Sequence, residues 1–215
     1  ADYDAAIGGL IGGYPSGLVD REPEVDPSAF ETEFLQNIQE TPDVLVTVGG
    51  EFTGNPGEVA VSVTCDFQNT VSGNWRVALV MTEDSITGTG AGWSQSNAYA
   101  GGGNGVMGGY ESLPNPVPAS QMVYDHVARF ILPSFGGHTG GFPTTNAGDS
   151  HTINFTFWFD SAWDLDKIHL IGFVVDNTGD IDNADKVTWA EASLNGFVDS
   201  DEDVTGVDVF DAPDA

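Results

Sequence analysis

Four aspartates in one polar run, Asp176, Asp180, Asp182 and Asp185, come nearest by type and spacing to a chemical site. Carboxylates a few residues apart in a turn can converge oxygens on one hard cation, and Ca²⁺ takes roughly six to eight such ligands. The run is not an EF-hand loop, because Gly179 is misplaced and no glutamate closes the coordination. The competing expectation is an acidic hairpin turn on an aspartate-rich surface. Asp199, Asp201, Glu202 and Asp203 form a second acidic run, which lacks both the glycine and the closing glutamate and reads as a charged linker rather than a metal site.

Three aromatics, Trp93, Tyr99 and Tyr110, belong to a different chemistry. The first two lie in, and the third just beyond, the stretch Gly88 to Gly109, which holds nine glycines. A loop of this length in a compact domain is functional or disordered. Rings held on such a segment near Asn97 and Asn104 can stack on a sugar or meet a partner surface; alternatively they fold back and cap the domain. No helix bearing a basic residue follows, so the glycines make no phosphate cradle. Glu83, Asp84, Asp125, His126 and Arg129 are the remaining cluster. Neighbours in a strand point to opposite faces, so Asp125 cannot readily orient His126 as a general base. Arg129 is expected to pair with Glu83 or Asp84 across strands, and no catalysis is expected here. His138, His151 and His169 lack the spacing of a zinc site.

The elements that position these residues follow from composition and period. The chain has 215 residues, enough for one large β domain, with 5 basic and 33 acidic side chains and a formal net charge of −28. Such a surface repels phosphate backbones and anionic lipid, which excludes nucleic-acid partners. No apolar run is long enough to span a membrane. The single cysteine, Cys65, alternates with valines and is expected to be a buried free thiol. Asp26 and Pro27 signal a helix start, and Phe30, Phe34, Leu35 and Ile38 form its apolar stripe up to Pro42. From Asp43 the period becomes two. Strands are expected at 44–53, 58–68, 74–83, 122–132, 151–160, 167–176 and 186–194, with a hairpin turn at Gly54 to Gly57. This pattern predicts a mainly β protein, a two-sheet antiparallel sandwich of jelly-roll or immunoglobulin-like type. The expected division is a small αβα unit at 1–42, the sandwich at 43–197 and an acidic tail or linker at 198–215.

Gly108-Gly109-Tyr110-Glu111-Ser112-Leu113-Pro114-Asn115-Pro116-Val117-Pro118-Ala119, followed by Met122-Val123-Tyr124-Asp125-His126-Val127-Ala128-Arg129, resembles the outer-membrane-protein-twenty-eight-related family of Gram-negative bacteria. Leu79-Val80-Met81-Thr82-Glu83-Asp84 and Trp163-Asp164-Leu165-Asp166-Lys167-Ile168 fit the same family, in the same order. The resemblance runs from about Gly13 to Ala192. It implies a thioredoxin-like domain ahead of a β-sandwich, and a cell-surface or secreted protein, in many members a cargo of type IX secretion. It makes Tyr14-Pro15 a structural proline turn, and the αβα unit the C-terminal remnant of the thioredoxin-like domain. It supplies no catalytic residues, and no Cys-x-x-Cys is present. Ala1, which is not an initiator Met, suggests a processed or trimmed piece.

The expected function is a non-enzymatic module at the outer-membrane surface or outside the cell. It would bind or adhere to a protein or glycan through loops at one end of the sandwich, with Ca²⁺ stiffening its acidic turns. The alternatives are a fragment of a thiol oxidoreductase whose active half is absent, and a structural protein that assembles into homo-oligomers or larger surface complexes.

Overall fold

A computed structural model of the chain describes residues 3–13, 16–140, 142, 144–200 and 203–205. Among these, eight strands form two sheets: β1 (Val44–Phe52), β2 (Glu58–Phe67), β3 (Arg76–Glu83), β4 (Val127–Leu132), β5 (Ser150–Trp158), β6 (Ile168–Val175), β7 (Ile181–Thr188) and β8 (Asp203–Thr205). The strand orders are β1-β2-β5-β8 and β4-β3-β6-β7. The first seven strands follow an immunoglobulin-like connectivity in which the fourth strand joins the β3-β6-β7 sheet, so of the two expected sandwich types this is the immunoglobulin-like one. Every pairing among those seven is antiparallel.

Alternation dictates the core. Val59, Val61, Val63, Cys65 and Phe67 of β2 meet Ile153, Phe155 and Phe157 of β5, and together they pack on Leu79, Met81, Phe130, Ile168, Leu170 and Val174 of the facing sheet. Each of these side chains contributes about 1.5–3 kcal/mol by leaving water. Cys65 is a buried free thiol. Burial, followed by the charge of Asp66, pushes its pKa far above the ordinary value, so it stays protonated and unreactive. β6 is apolar on both faces because Ile168, Leu170 and Val174 face the sandwich core while Phe173 and Val175 pack in a second cluster with Ala78 and Ile131.

Three expectations need correction. The seventh strand is β7 at 181–188, not 186–194, and it is followed by a helix, α3 (Trp189–Asn195). A capping box starts that helix: Thr188 Oγ1 accepts from the Glu191 amide, and Glu191 Oε2 accepts from the Thr188 amide. The fourth strand starts at Val127 rather than Met122, because His126 adopts φ +57° and breaks the extended chain. Within the expected acidic tail or linker at 198–215, Val198 and Asp203–Thr205 lie against the sandwich. The Val198 amide donates to Ser62 Oγ at 3.1 Å, and β8 pairs parallel with β5. Gly49 permits this docking, since a Cβ there would run into the Gly196 carbonyl.

Ahead of the sandwich lie α1 (Tyr3–Gly8), a 3-10 turn at Pro27–Ala29 capped by Asp26, and α2 (Phe30–Asn37). Between the two helices Gly17 and Val25 form a bridge, with Asp20 and Arg21 both at positive φ. The Asp20 carbonyl accepts from the Ile181 amide at 2.7 Å, and Arg21 lies over the Phe135 ring at 4.1 Å, so this segment is tied to the β3-β6-β7 sheet. Tyr14 and Pro15 lie outside the described residues.

Candidate functional site

The four candidate metal ligands do different jobs. Asp176 Oδ1 accepts from the amides of Thr178, Gly179 and Asp180 and from the Thr178 hydroxyl, closing the β6–β7 turn on itself. Burial works against the charged form, but those hydrogen bonds win and hold the Asp176 carboxyl below its ordinary pKa. Asp180 accepts from the same Thr178 hydroxyl. Asp182 and Asp185 are not turn residues; they sit on β7 and reach across to β1. Asp182 accepts from the Asp43 and Val44 amides at 3.0 Å each, and Asp185 accepts from the Val48 amide at 2.9 Å. Asn183 and Asn195 donate to the Val44 and Val48 carbonyls, both at 2.8 Å. Side chains thus occupy the open backbone edge of β1, which would otherwise invite another strand. Among the described residues, no group of three or more His, Cys, Asp or Glu is arranged to hold a metal ion. In the second acidic run, Asp201 and Glu202 lie outside the described residues.

The aromatic candidates sit in the long insertion between β3 and β4, and the structure does not bring their rings together. Trp93 closes a 3-10 turn at Ala91–Trp93, lies flat over Gly88 where a Cβ would overlap the indole, and meets the Tyr124 ring at 5.9 Å. Tyr124 donates its hydroxyl to the Trp93 carbonyl at 2.9 Å. Tyr99 and Tyr110 are half-buried. The insertion is organised instead around Asn97, which is 6 % exposed. Its Nδ2 donates to the Tyr110 carbonyl at 2.7 Å and is shared with the Leu113 and Pro114 carbonyls at 3.3 Å. Its Oδ1 accepts from the Tyr99 amide, and its own amide donates to Asn115 Oδ1. Gln95 and Val117 bridge the two arms. Glu111 accepts from the Met107 and Gly109 amides, which holds its carboxyl below the ordinary range. Beyond this framed base, Val106 stands 85 % and Met107 42 % exposed. In the sequence this pair is marked only as two apolar residues alone in a glycine run.

The third cluster lies where β3 enters the insertion. Buried Glu83 takes two hydrogen bonds from Arg129, Nε at 2.7 Å and Nη2 at 2.5 Å, and its other oxygen accepts from the Asp164 amide. The Arg129 guanidinium also lies 5.7 Å from the Trp163 ring. Arg129 therefore pairs with Glu83, as expected. Asp125 accepts from the Ser85 amide rather than orienting His126. Asp84 stands between two imidazoles: His126 Nδ1 at 3.5 Å and His169 Nδ1 at 3.6 Å, with the rings stacked 6.2 Å apart. Lys186 Nζ lies 3.1 Å from His126 Nε2. The hydrogen bond from the His126 amide, and after it the charges of these neighbours, hold the Asp84 carboxyl below its ordinary pKa. Sequence spacing did not pair these histidines; the register that sets Thr82 opposite His169 does.

The framework is an immunoglobulin-like β-sandwich with an ordered insertion at one end. The family model described as outer membrane protein Omp28 matches residues 2–193, and the chain belongs to that family. This membership bears out the resemblance carried by the sequence motifs and assigns the protein to the outer-membrane surface. A crystal structure of a domain of the outer membrane lipoprotein Omp28 from Porphyromonas gingivalis is similar at 12 % identity and a TM-score of 0.38, over 69 % of this chain and 89 % of that one. No curated protein matches the chain. No helix among the described residues is long and apolar enough to cross a membrane.

Proposed function

We propose that this chain is a non-catalytic binding module of the outer-membrane surface, and that the β3–β4 insertion meets its ligand, a protein or a glycan. The observation that carries the reading is the contrast within the insertion: a base fixed by Asn97 and a tip that exposes Val106 and Met107. A base already ordered has less conformational entropy to lose on binding. Exposed apolar side chains on so acidic a surface are where desolvation favours contact. The polar clusters support a role without catalysis. Glu83 is tied up by Arg129 and the Asp164 amide, and Asp84 by the His126 amide. The Cys65 thiol is buried and protonated, so it offers no thiolate for disulfide exchange within this chain.

Retention of the full chain on a glycan array and on immobilised surface proteins tests the proposal. The double variant Val106→Asp, Met107→Asp should lose retention at least about tenfold with an unchanged melting temperature. Equal retention of wild type and variant would remove the tip from the binding surface.

A further inference from the structure

At the opposite end of the β3-β6-β7 sheet, a cleft of about 620 Å³ opens between α2 and the β6–β7 turn. Arg76, the first residue of β3, pairs with Val175, so the turn lies where β3 begins and the insertion leaves where β3 ends. The apolar part of the cleft comes from Phe34 of α2 and Ile38 at its C-cap, together with Val19 and Ile181. Phe34 is 53 % and Ile38 64 % exposed, although the helix carries them on one stripe. Every charged residue lining the cleft is an acid: Asp20, Glu22, Glu40, Asp176, Asp180 and Asp182. Some of these serve the fold, Asp20 accepting from Asn37 and Asp182 from the β1 edge. Glu22 and Glu40 line the same cleft, and their side chains make no hydrogen bond or ion pair among the described residues.

We infer that this cleft docks a basic amphipathic segment of another protein, apolar side chains against Phe34 and Ile38 and Lys or Arg against Glu22 and Glu40. Exposed apolar walls ringed by uncompensated charge of one sign fit an occupant with the opposite charge and its own apolar residues. A second copy of this chain does not supply one. It has five basic residues, and four of them are engaged internally: Arg21 on Phe135, Arg129 on Glu83, Lys167 on Asp164 and Lys186 on His126. The crowding of the site agrees with a cationic occupant. Burial pushes the Asp182 carboxyl above its ordinary range, and the charges of Asp43 and Asp176 add to that push.

The test is fluorescence anisotropy on the full chain at physiological ionic strength, with chelator present. The probe is a short labelled peptide alternating Lys and Leu; an all-Lys peptide and a Glu-Leu peptide are the controls. The Lys-Leu peptide is expected to bind, the Glu-Leu peptide not. Glu22→Gln with Glu40→Gln, and separately Ile38→Ser, should each weaken binding by about tenfold at unchanged melting temperature. A distal pair outside the cleft, Glu51→Gln with Asp66→Asn, should leave it unchanged. Absence of binding overturns the inference. So does equal binding of the all-Lys peptide, which would mean that only the general negative field is sensed, or an equal loss in the distal pair.

Discussion

The two ends of the β4-β3-β6-β7 sheet use their acids in opposite ways. Where β3 runs into its insertion, Glu83, Asp84, Glu111 and Asp125 all accept from named amides or from Arg129. Where β6 turns into β7, Asp176 and Asp182 are likewise consumed by the fold, but Glu22 and Glu40 face a cleft with exposed Phe34 and Ile38. The lesson concerns the net charge of −28. It is not one uniform property: among the described residues many carboxylates act as hydrogen-bond acceptors for strand edges and turns, whereas Glu22 and Glu40 do not. The insertion places its apolar surface at a tip, whereas the cleft places its apolar surface between acids.

Breaking the comparison at its strongest point means removing Arg129. Arg129→Ala leaves Glu83 buried without its cation and should cost about 3–5 kcal/mol in urea unfolding, while Glu22→Gln at the other end should change stability by less than about 0.5 kcal/mol. Similar effects of the two substitutions would erase the distinction. Next comes the β1 edge: Asp182→Ala frees the Asp43 and Val44 amides and should cost about 1–3 kcal/mol. Trp93→Ala empties the contact with Gly88 and Tyr124 and, for a half-buried ring, should cost about 2 kcal/mol.

Acid titration sharpens the picture by sign. Hydrogen bonds from backbone amides depress the carboxyls of Asp84, Glu111 and Asp149, so their contribution is present above the ordinary values of 3.8 and 4.5 and is lost as pH falls below them. Asp182, raised by burial, runs the other way: folding favours its protonated form, and its contribution fades as pH rises through the raised value. Asp182→Asn should therefore steepen the loss of melting temperature on acidification. The smallest expected effect is that of calcium. A ligand at a hundred times its dissociation constant adds about 2.7 kcal/mol, and with Asp176 and Asp180 turned onto Thr178 and Asp182 and Asp185 onto the β1 edge, Ca²⁺ should give no such shift over chelator at fixed ionic strength.

Much of the sandwich was legible because alternation and burial coincide: Ile153, Phe155 and Phe157 face inward, as their period requires. β7 was not, because its acids cap the edge of β1 and so look like turn residues. The Thr188–Glu191 capping box was in plain view, yet the apolar residues around it imitated a strand. The base of the insertion was illegible for a different reason. Asn97 bonds to carbonyls 13 to 17 residues away, and nothing in the local sequence marks those partners. The helical stripe of α2 was readable, but whether the fold would cover it was not, since periodicity predicts a face and not its partner.

Hydrogen exchange along the insertion of the free protein tests the account most directly. Protection is expected at the amides of Gln95, Asn97, Tyr99 and Val117, which bond across the two arms or to Asn97 and Asn115 side chains, and fast exchange at Gly103, Asn104 and Val106 at the tip. Uniform exchange at unfolded-chain rates from Gly88 to Gln121 would contradict it, because no framed base would then exist to present Val106 and Met107 to a ligand.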